Sequence, residues 1–221
     1  MRTVIFDLDG TLADTSADLV AAANAVFRAR GLGDLLDPVA DALTAFHGGR
    51  AMLRLGYGRA GLSDEVPEAD YRALLDHYAV HIDTHTRLYP GAVQAVTALR
   101  AAGFATGICT NKPEGLAREL IARLGVEDLF SSLIGADTLP VRKPDPAPYR
   151  AAVAGAGGDV ARSILIGDTQ TDRDTARAAG VPCALVTFGP EGRAIERLSP
   201  EALLDHYDDL PALAQSLIGP A

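Results

Sequence analysis

The sequence is poor in basic residues, in lysine above all. Its 221 residues carry 29 acidic and 20 basic side chains, which gives a net charge of −9, and only two of the basic residues are lysines, Lys112 and Lys143. A protein that neutralises nucleic-acid phosphates or lies on anionic lipid needs a basic surface, so the charge argues against both partners. Taken alone, the net negative charge also disfavours an anionic substrate.

Cysteine is scarce as well, and long apolar runs are absent. Cys109 and Cys183 each lie in a short apolar run that is typical of a buried strand, which suits reduced thiols in a cytosolic protein better than a disulfide. No apolar run approaches the roughly 18 residues of a membrane span, and the chain starts almost directly with a strand, which leaves no room for a signal peptide. The sequence therefore predicts a soluble, cytoplasmic protein without a membrane partner.

The hydrophobic pattern predicts an α/β fold. Apolar runs without polar alternation, typical of strands buried on both faces, lie at residues 3–6, 104–109, 163–166 and 183–186. Helical patterns lie at residues 90–102, 114–124, 146–156 and 171–179, and several of them end at a glycine. This alternation predicts a Rossmann-like parallel sheet with helices on both faces.

The segment from residue 16 to residue 86 interrupts this alternation. It contains several helical patterns, the first at residues 17–30 and the last at residues 68–85, and no convincing strand. We therefore expect an all-helical cap domain over residues 16–86, inserted into a core domain made of residues 1–15 and 87–221.

Polar residues follow the predicted strands at one edge of the sheet, where ligands bind in parallel α/β folds. They come from four segments of the chain: Asp7, Asp9 and Gly10 after the run at residues 3–6, Thr110 and Asn111 after the run at 104–109, Lys143 in the connection Arg142-Lys143-Pro144-Asp145, and Asp168 and Asp172 after the run at 163–166. The same edge is thus expected to hold several carboxylates, a hydroxyl and an ammonium group.

These residue types predict phosphoryl chemistry. Carboxylates grouped at one edge repel each other unless a cation lies among them, and hard oxygen ligands favour Mg²⁺. With Mg²⁺ and Lys143 the pocket becomes cationic and suits a phosphoryl group, whose oxygens Thr110 and the backbone amides around Gly10 and Asn111 can also hold. Asp7 can then attack phosphorus to give an aspartyl-phosphate, while Asp9 protonates the leaving oxygen and later activates water.

In their order along the chain, these motifs resemble those of phosphatases of the haloacid dehalogenase superfamily. The string Asp7-Leu8-Asp9-Gly10-Thr11 matches the first motif, Thr110 the second, Lys143 the third, and Gly167-Asp168 through Asp172 the fourth. The resemblance covers essentially the whole chain and implies a helical cap of the C1 type. It also implies that the Asp7 carboxylate, the Asp9 backbone carbonyl and Asp168 hold Mg²⁺, with support from Asp172.

Finer matches resemble the bacterial phosphoglycolate phosphatases, and Thr110-Asn111-Lys112-Pro113 is the most telling of them. The resemblance implies that 2-phosphoglycolate is hydrolysed to glycolate and phosphate. Phosphatases for sugar phosphates or pyrophosphate share much of this pattern, and a β-phosphoglucomutase-like transferase stays open, although Thr11 is less typical of it. A catalytically silent phosphate-binding or receiver-like protein is the alternative outside the enzymes, but it has no use for Asp9.

Asp9 and the placement of the two lysines exclude two other activities of the superfamily. A dehalogenase of the superfamily lacks the second aspartate, which is present here as Asp9, and a phosphonate-cleaving relative needs a Schiff-base lysine in the cap, where this chain has none. Lys143 is therefore expected to bind the phosphoryl group, with Lys112 as its only competitor.

Two features of the cap can bind ligands. In the string His47-Gly48-Gly49-Arg50, Arg50 can pair with a substrate carboxylate, although an ordinary interhelical turn with a solvated arginine is the simpler interpretation. His77, His81 and His85 recur every four residues and are expected to share one helix face. That spacing permits a transition-metal site, and a solvated face is the simpler interpretation.

Overall fold

The computed structural model describes residues 1–219 and divides into two compact units. Met1–Ala13 and the chain from Leu88 onward form the first unit, and Asp14–Arg87 form the second. That these units are a core domain and a cap domain, with the bounds that the sequence predicts, stays a prediction. Among the described residues, no helix has both the length and the apolar character needed to cross a membrane.

The strands are short and several are fully buried. In chain order they are Thr3–Phe6 (β1), Ala13–Asp14 (β2), Arg87–Leu88 (β3), Ala105–Cys109 (β4), Ser132–Ile134 (β5), Ser163–Gly167 (β6), Cys183–Val186 (β7) and Ala202–Leu204 (β8). β2 and β3 form a separate two-stranded sheet.

The α-helices of the second unit are Ser16–Ala29 (α1), Ala42–Phe46 (α2), Gly49–Arg59 (α3) and Glu68–Val80 (α4). Those of the first unit are Ala92–Ala101 (α5), Glu114–Arg123 (α6), Pro146–Gly155 (α7), Gln170–Ala179 (α8) and Leu210–Ile218 (α9).

The first unit is built on a six-stranded parallel sheet in the order β5-β4-β1-β6-β7-β8. Phe6 is in register with Ile108 of β4 on one side and with Ile166 of β6 on the other. The carboxyl ends of β1, β4 and β6 therefore lie side by side. The strand order also reverses next to β1, which is the position where parallel sheets bind ligands.

Both faces of this sheet are apolar and covered by helices. Ile5, Leu165 and Tyr149 belong to a core cluster between the strands and the helices α7 and α8. Val4 and Phe6 point to the opposite face and are equally buried, on the side where α5 and α9 pack. The predicted parallel α/β sheet with helices on both faces is confirmed.

The second unit is helical, with α1 packed against the other three helices. Its core includes the edge-to-face pair Phe27 and Tyr57, whose ring centroids lie 5.5 Å apart. Gly56 lets Phe27 approach the backbone of α3, because a Cβ there would lie 2.1 Å from the ring.

The prediction of one helix over residues 68–85 is wrong at its C-terminal end. α4 ends at Val80, and His81 leaves the helical conformation with φ −115° and ψ 28°. The backbone N–H groups of His85 and Thr86 instead donate to the buried carboxylate of Asp18 in α1, at 2.8–3.0 Å. Bonding to Asp18 replaces the last turns of the expected helix, so His85 does not share a helix face with His77.

Candidate active site

Asp7 directly follows β1 at the carboxyl edge of the sheet, and its side chain is nearly buried. Its Oδ1 atom lies 3.1 Å from the Nζ of Lys143. Lys143 also reaches Asp172, with 2.6 Å between Nζ and Oδ1. Oδ1 of Asp7 accepts no hydrogen bond, although it is shielded from solvent. A buried carboxylate oxygen without a hydrogen bond is a favourable position for a bound cation.

Asp172 is held in place by the start of α8. It is the third residue of that helix and forms a capping box with Thr169. Its Oδ2 accepts hydrogen bonds from the Thr169 N–H and hydroxyl and from the Asp168 N–H, at 2.7–3.3 Å. Its Oδ1 is left to face Lys143, so one carboxylate both caps the helix and orients the lysine.

Asp7, Asp168 and Asp172 form a compact group of carboxylates. Each presents one oxygen, and these oxygens all lie within 4.8 Å of one another. Burial raises the pKa of Asp7 to about 6, with Asp172 and Asp9 adding to the rise and Lys143 opposing it. Burial, together with the charges of Asp172 and Asp7, also raises the pKa of Asp168 well above its usual range. A bound cation would oppose both shifts, since it would stabilise the charged carboxylates.

The donor set fits a hard divalent cation. The three candidate ligands are carboxylate oxygens, and one of them, Oδ1 of Asp7, is buried with an ion pair to Lys143 as its contact and no hydrogen bond. Mg²⁺ and similar ions take such oxygen ligands, whereas softer transition metals prefer imidazole or thiolate. The haloacid dehalogenase resemblance and the acidic cluster therefore agree on a metal site here.

Lys143 remains charged in this setting. Burial alone would lower its pKa, but the carboxylates of Asp172 and Asp7 outweigh burial and raise the pKa above its ordinary value. The loop that carries it is tied to the neighbouring loop, because the side-chain amide of Asn111 donates to the Lys143 carbonyl at 3.0 Å. Asn111 thus has a structural contact in addition to its predicted place near the phosphoryl group.

Gly10 allows the first motif to pass close to Asp168. Its φ is +81°, and a Cβ would lie 2.1 Å from Oδ2 of Asp168. The Gly10 N–H donates to the Ala13 carbonyl at 2.9 Å, so it closes a turn in this structure and does not point to a vacant anion site. The phosphate-binding role that the sequence predicts for the Gly10 amide stays a prediction.

Thr11 makes two contacts that were not predicted from the sequence. The Thr11 hydroxyl donates to Oδ1 of Asp168 at 3.0 Å, and its carbonyl accepts a hydrogen bond from the Tyr207 hydroxyl at 2.6 Å. The sequence pointed to Thr11 itself, since it belongs to the Asp-Xaa-Asp-Gly-Thr string. Nothing in the sequence pointed to Tyr207 as its partner, because the two residues lie 196 positions apart in the chain.

The loop after β4 brings Thr110 and Lys112 to the same edge. The Thr110 hydroxyl accepts a hydrogen bond from the Lys112 N–H at 3.2 Å. The Lys112 Nζ lies 2.7 Å from Oδ1 of Asp9. The structure therefore places Asp7, Asp9, Thr110 and Asp168 just beyond the ends of neighbouring strands. Lys143 reaches the same edge from the loop before α7, and Asp172 from the first turn of α8. Lys143 contacts Asp7, and Lys112 contacts Asp9.

Arg50 and the histidines, which the sequence suggests as ligand-binding residues, have contacts inside the second unit. Arg50 pairs with Glu68 at 2.5 Å, and its guanidinium lies 4.0 Å from the centroid of the Tyr71 ring. His77 and His81 are in ring contact, with centroids 4.7 Å apart. Within residues 1–219, the one group of three or more metal-binding side chains is the aspartate cluster, so the expected three-histidine face does not assemble.

Comparisons with known proteins agree with these motifs. Residues 1–180 match the family model of the haloacid dehalogenase-like hydrolases. The chain is 39% identical over 218 residues to a phosphoglycolate phosphatase of Mesorhizobium japonicum, covering 97% of this chain and 96% of the relative. A solved structure from Haemophilus somnus, described as a predicted phosphoglycolate phosphatase, is 25% identical with a TM-score of 0.84 and covers 97% of this chain and 98% of its own. A haloacid dehalogenase family hydrolase from Deinococcus radiodurans, solved with bound phosphate and sodium, is 28% identical with a TM-score of 0.75 and covers 100% of this chain and 99% of its own.

Proposed function

Because the chain belongs to the haloacid dehalogenase-like hydrolases, we propose that it hydrolyses 2-phosphoglycolate to glycolate and phosphate. The observation that carries the chemistry is the buried Asp7 carboxylate, which lies beside Lys143 and within the aspartate cluster at the carboxyl edge of the sheet. Similarity to a phosphoglycolate phosphatase over 97% of the chain supports the substrate.

The aspartate cluster is the proposed site of Mg²⁺. Asp7 and Asp168 would hold it together with the Asp9 backbone carbonyl, the last by the family resemblance, and Asp172 would support the site. When bound, the ion supplies positive charge that polarises the phosphoryl group. It also offsets the acidic side chains, so that the site accepts an anion despite the net charge of −9.

In the first step, Asp7 acts as the nucleophile. A carboxylate oxygen of Asp7 attacks phosphorus, the bond from phosphorus to the glycolate oxygen breaks, and its electron pair leaves with that oxygen. Asp9 delivers a proton to the leaving oxygen and becomes a carboxylate. Lys143 and the Thr110 hydroxyl bind the phosphoryl oxygens while charge moves onto them.

In the second step, the aspartyl-phosphate is hydrolysed. The Asp9 carboxylate takes a proton from water, the water oxygen attacks phosphorus, and the bond to Asp7 breaks with its electron pair returning to the carboxylate. Phosphate leaves, and Asp9 again carries the proton it needs for the next cycle. Asp9 therefore serves as acid in one half of the reaction and as base in the other.

The test is a kcat/KM comparison on purified protein with Mg²⁺. The substrates are 2-phosphoglycolate, several sugar phosphates, pyrophosphate and p-nitrophenyl phosphate. We expect 2-phosphoglycolate to rank first and Asp7→Asn to abolish turnover of every ester. Turnover by Asp7→Asn at the wild-type rate would contradict the mechanism, and a sugar phosphate or pyrophosphate ranking first would contradict the substrate.

A further inference from the structure

Lys112 is a buried cation that the proposed mechanism leaves without a role. Its side chain is 4% exposed, and its Nζ lies 2.7 Å from Oδ1 of Asp9, whose side chain is 17% exposed. Taking an ammonium group out of water is costly unless it is paired, so the position of Lys112 depends on a carboxylate such as that of Asp9. Within residues 1–219, the two lysines of the chain thus stand beside the two aspartates of the first motif.

The sheet fixes this contact. Asp9 lies three residues beyond Phe6 of β1, and Lys112 lies four residues beyond Ile108 of β4, which is in register with Phe6. The Lys112 N–H is also bonded to the Thr110 hydroxyl. The lysine is therefore anchored at its backbone and at its ammonium group, and its side chain has little freedom to move.

We propose that Lys112 is a positioning residue for the acid/base Asp9, a role that rests on the proposed function. By holding Oδ1, the ammonium group restricts rotation of the Asp9 carboxylate and keeps it directed for proton transfer at the leaving oxygen. Lys143 already lies between Asp7 and Asp172, so it fills the place of a phosphoryl-binding lysine. The two lysines then have different roles: Lys143 contacts the nucleophile and binds the phosphoryl group, and Lys112 positions the residue that transfers the proton.

Dependence on the leaving group distinguishes this role from simple phosphate binding. An alkyl leaving group such as glycolate needs protonation, whereas p-nitrophenolate leaves readily without it. A residue that acts through the acid should therefore matter for kcat/KM of the alkyl ester, which covers the steps up to formation of the aspartyl-phosphate, and matter little for kcat/KM of the aryl ester. The second step, in which Asp9 acts as base, is common to both esters and enters kcat only. A residue that binds the phosphoryl group should matter equally for both.

The experiment measures kcat and KM of wild type, Lys112→Met and Lys112→Arg with 2-phosphoglycolate and p-nitrophenyl phosphate. General acid catalysis contributes about 10²–10⁴-fold to a rate, and we expect Lys112→Met to lose roughly 10–100-fold in kcat/KM for phosphoglycolate. The loss of kcat/KM for p-nitrophenyl phosphate should stay below about threefold, and Lys112→Arg should recover part of the lost kcat/KM for phosphoglycolate because it can still pair with Asp9. The dissociation constant of inorganic phosphate, measured calorimetrically, should change less than about threefold in Lys112→Met, because each tenfold change needs about 1.4 kcal/mol.

A double-mutant cycle provides the control. If Lys112 acts through Asp9, adding Lys112→Met to Asp9→Asn should lower kcat/KM for phosphoglycolate little further. Equal losses on both esters, a tenfold weaker phosphate affinity or additive losses in the cycle would each overturn the proposal. If wild type hydrolyses neither ester, the proposed function fails; if wild type is active and only these contrasts are missing, the Lys112 proposal alone fails. Thermal unfolding of each variant separates misfolding from a kinetic effect, and should Lys112→Met not fold, Lys112→Arg and Lys112→Gln carry the same comparison.

Discussion

Gly10 is suited to its position because it has no Cβ atom. The backbone of Gly10 has φ +81°, and a Cβ there would meet the Asp168 carboxylate at 2.1 Å. The position of Asp168 is constrained, because its carboxylate accepts a hydrogen bond from the Thr11 hydroxyl and its backbone N–H donates to the Asp172 carboxylate. The glycine of the first motif therefore serves close approach as well as turn geometry.

We expect Gly10→Ala to lower stability by roughly 1–3 kcal/mol, since it combines a strained backbone with a clash. Activity should fall at the same time because Asp168 must move. The measurements are chemical denaturation and kcat. Gly58→Ala is the matched control, since Gly58 lies in α3 with open space at its Cβ position. That variant should gain up to about 1 kcal/mol, and similar stabilities for the two variants would contradict the steric argument.

Arg50 has a weak partner that a substrate carboxylate can replace. The side chains of Arg50 and Glu68 are 41% and 58% exposed, and exposed ion pairs contribute only about 0–1 kcal/mol. The guanidinium also lies over the Tyr71 ring. Contact between Arg50 and a substrate carboxylate stays a prediction.

Arg50→Ala should therefore raise KM for 2-phosphoglycolate about tenfold, which corresponds to about 1.4 kcal/mol. KM for ethyl phosphate, which has no carboxylate, should change less than twofold. Arg54→Ala, an exposed arginine one turn further along α3, is the control and should leave both values unchanged. An equal rise for both esters in Arg50→Ala would show that the arginine does not read the carboxylate.

At the level of single residues, the sequence predicted the chemistry-bearing side chains and missed their long-range partners. Asp7, Thr110 and Asp168 follow strands whose apolar runs are visible, so their common edge could be inferred. Lys143 was identified by its motif, since the strand before it, β5, is short. The contacts Lys112–Asp9 and Tyr207–Thr11 join residues 103 and 196 positions apart. Such pairs depend on strand register and on the path of the C-terminal chain, which no local pattern encodes.

At the scale of elements, helices with a clear apolar stripe were predicted to within about two residues, and short edge strands were not. β5 and β8 have three residues each, too few for a periodic pattern. The end of α4 was misplaced because its residues remain compatible with a helix beyond Val80. A tertiary contact, from Asp18 to the chain at His85 and Thr86, decides where the helix stops.

Asp18 is therefore expected to be a stability determinant of the second unit. Its buried carboxylate accepts bonds from two backbone N–H groups and from the Thr86 hydroxyl. Hydrogen bonds to a charged group contribute about 1.5–3 kcal/mol, and the donors left behind would be buried, so Asp18→Ala should cost roughly 2–4 kcal/mol. Asp64→Ala, at an exposed position, should change stability by less than about 0.5 kcal/mol. The check is urea denaturation of both variants, and a cost for Asp18→Ala as small as that of the control would contradict this role.

At the scale of the whole molecule, the distribution of charge matters more than its sum. The net charge is −9, yet both lysines and the aspartate cluster lie at one edge of the sheet. Burial, together with repulsion between the carboxylates, raises the pKa values of Asp7 and Asp168. Folding brings these charges together at a cost, and a bound divalent cation offsets that cost.

Mg²⁺ should consequently stabilise the folded protein against heat. A ligand that binds only the native state adds RT ln(1 + [L]/Kd), or about 2.7 kcal/mol at a concentration 100 times Kd. Asp168→Asn should abolish this gain and, without metal, should unfold at the same or a higher temperature than wild type. The asparagine keeps an acceptor for the Thr11 hydroxyl and removes one of the repelling charges.

The measurement is Tm with increasing MgCl2, with choline chloride at matched ionic strength to separate binding from salt screening. Asp64→Asn, which changes an exposed carboxylate far from the cluster in sequence, is the control and should respond to Mg²⁺ like wild type. If Mg²⁺ leaves the Tm of wild type unchanged, or raises that of Asp168→Asn equally, the aspartate cluster does not hold the ion. A cation-dependent rise in wild type alone would tie the stability of the whole chain to the charge balance at this one edge of the sheet.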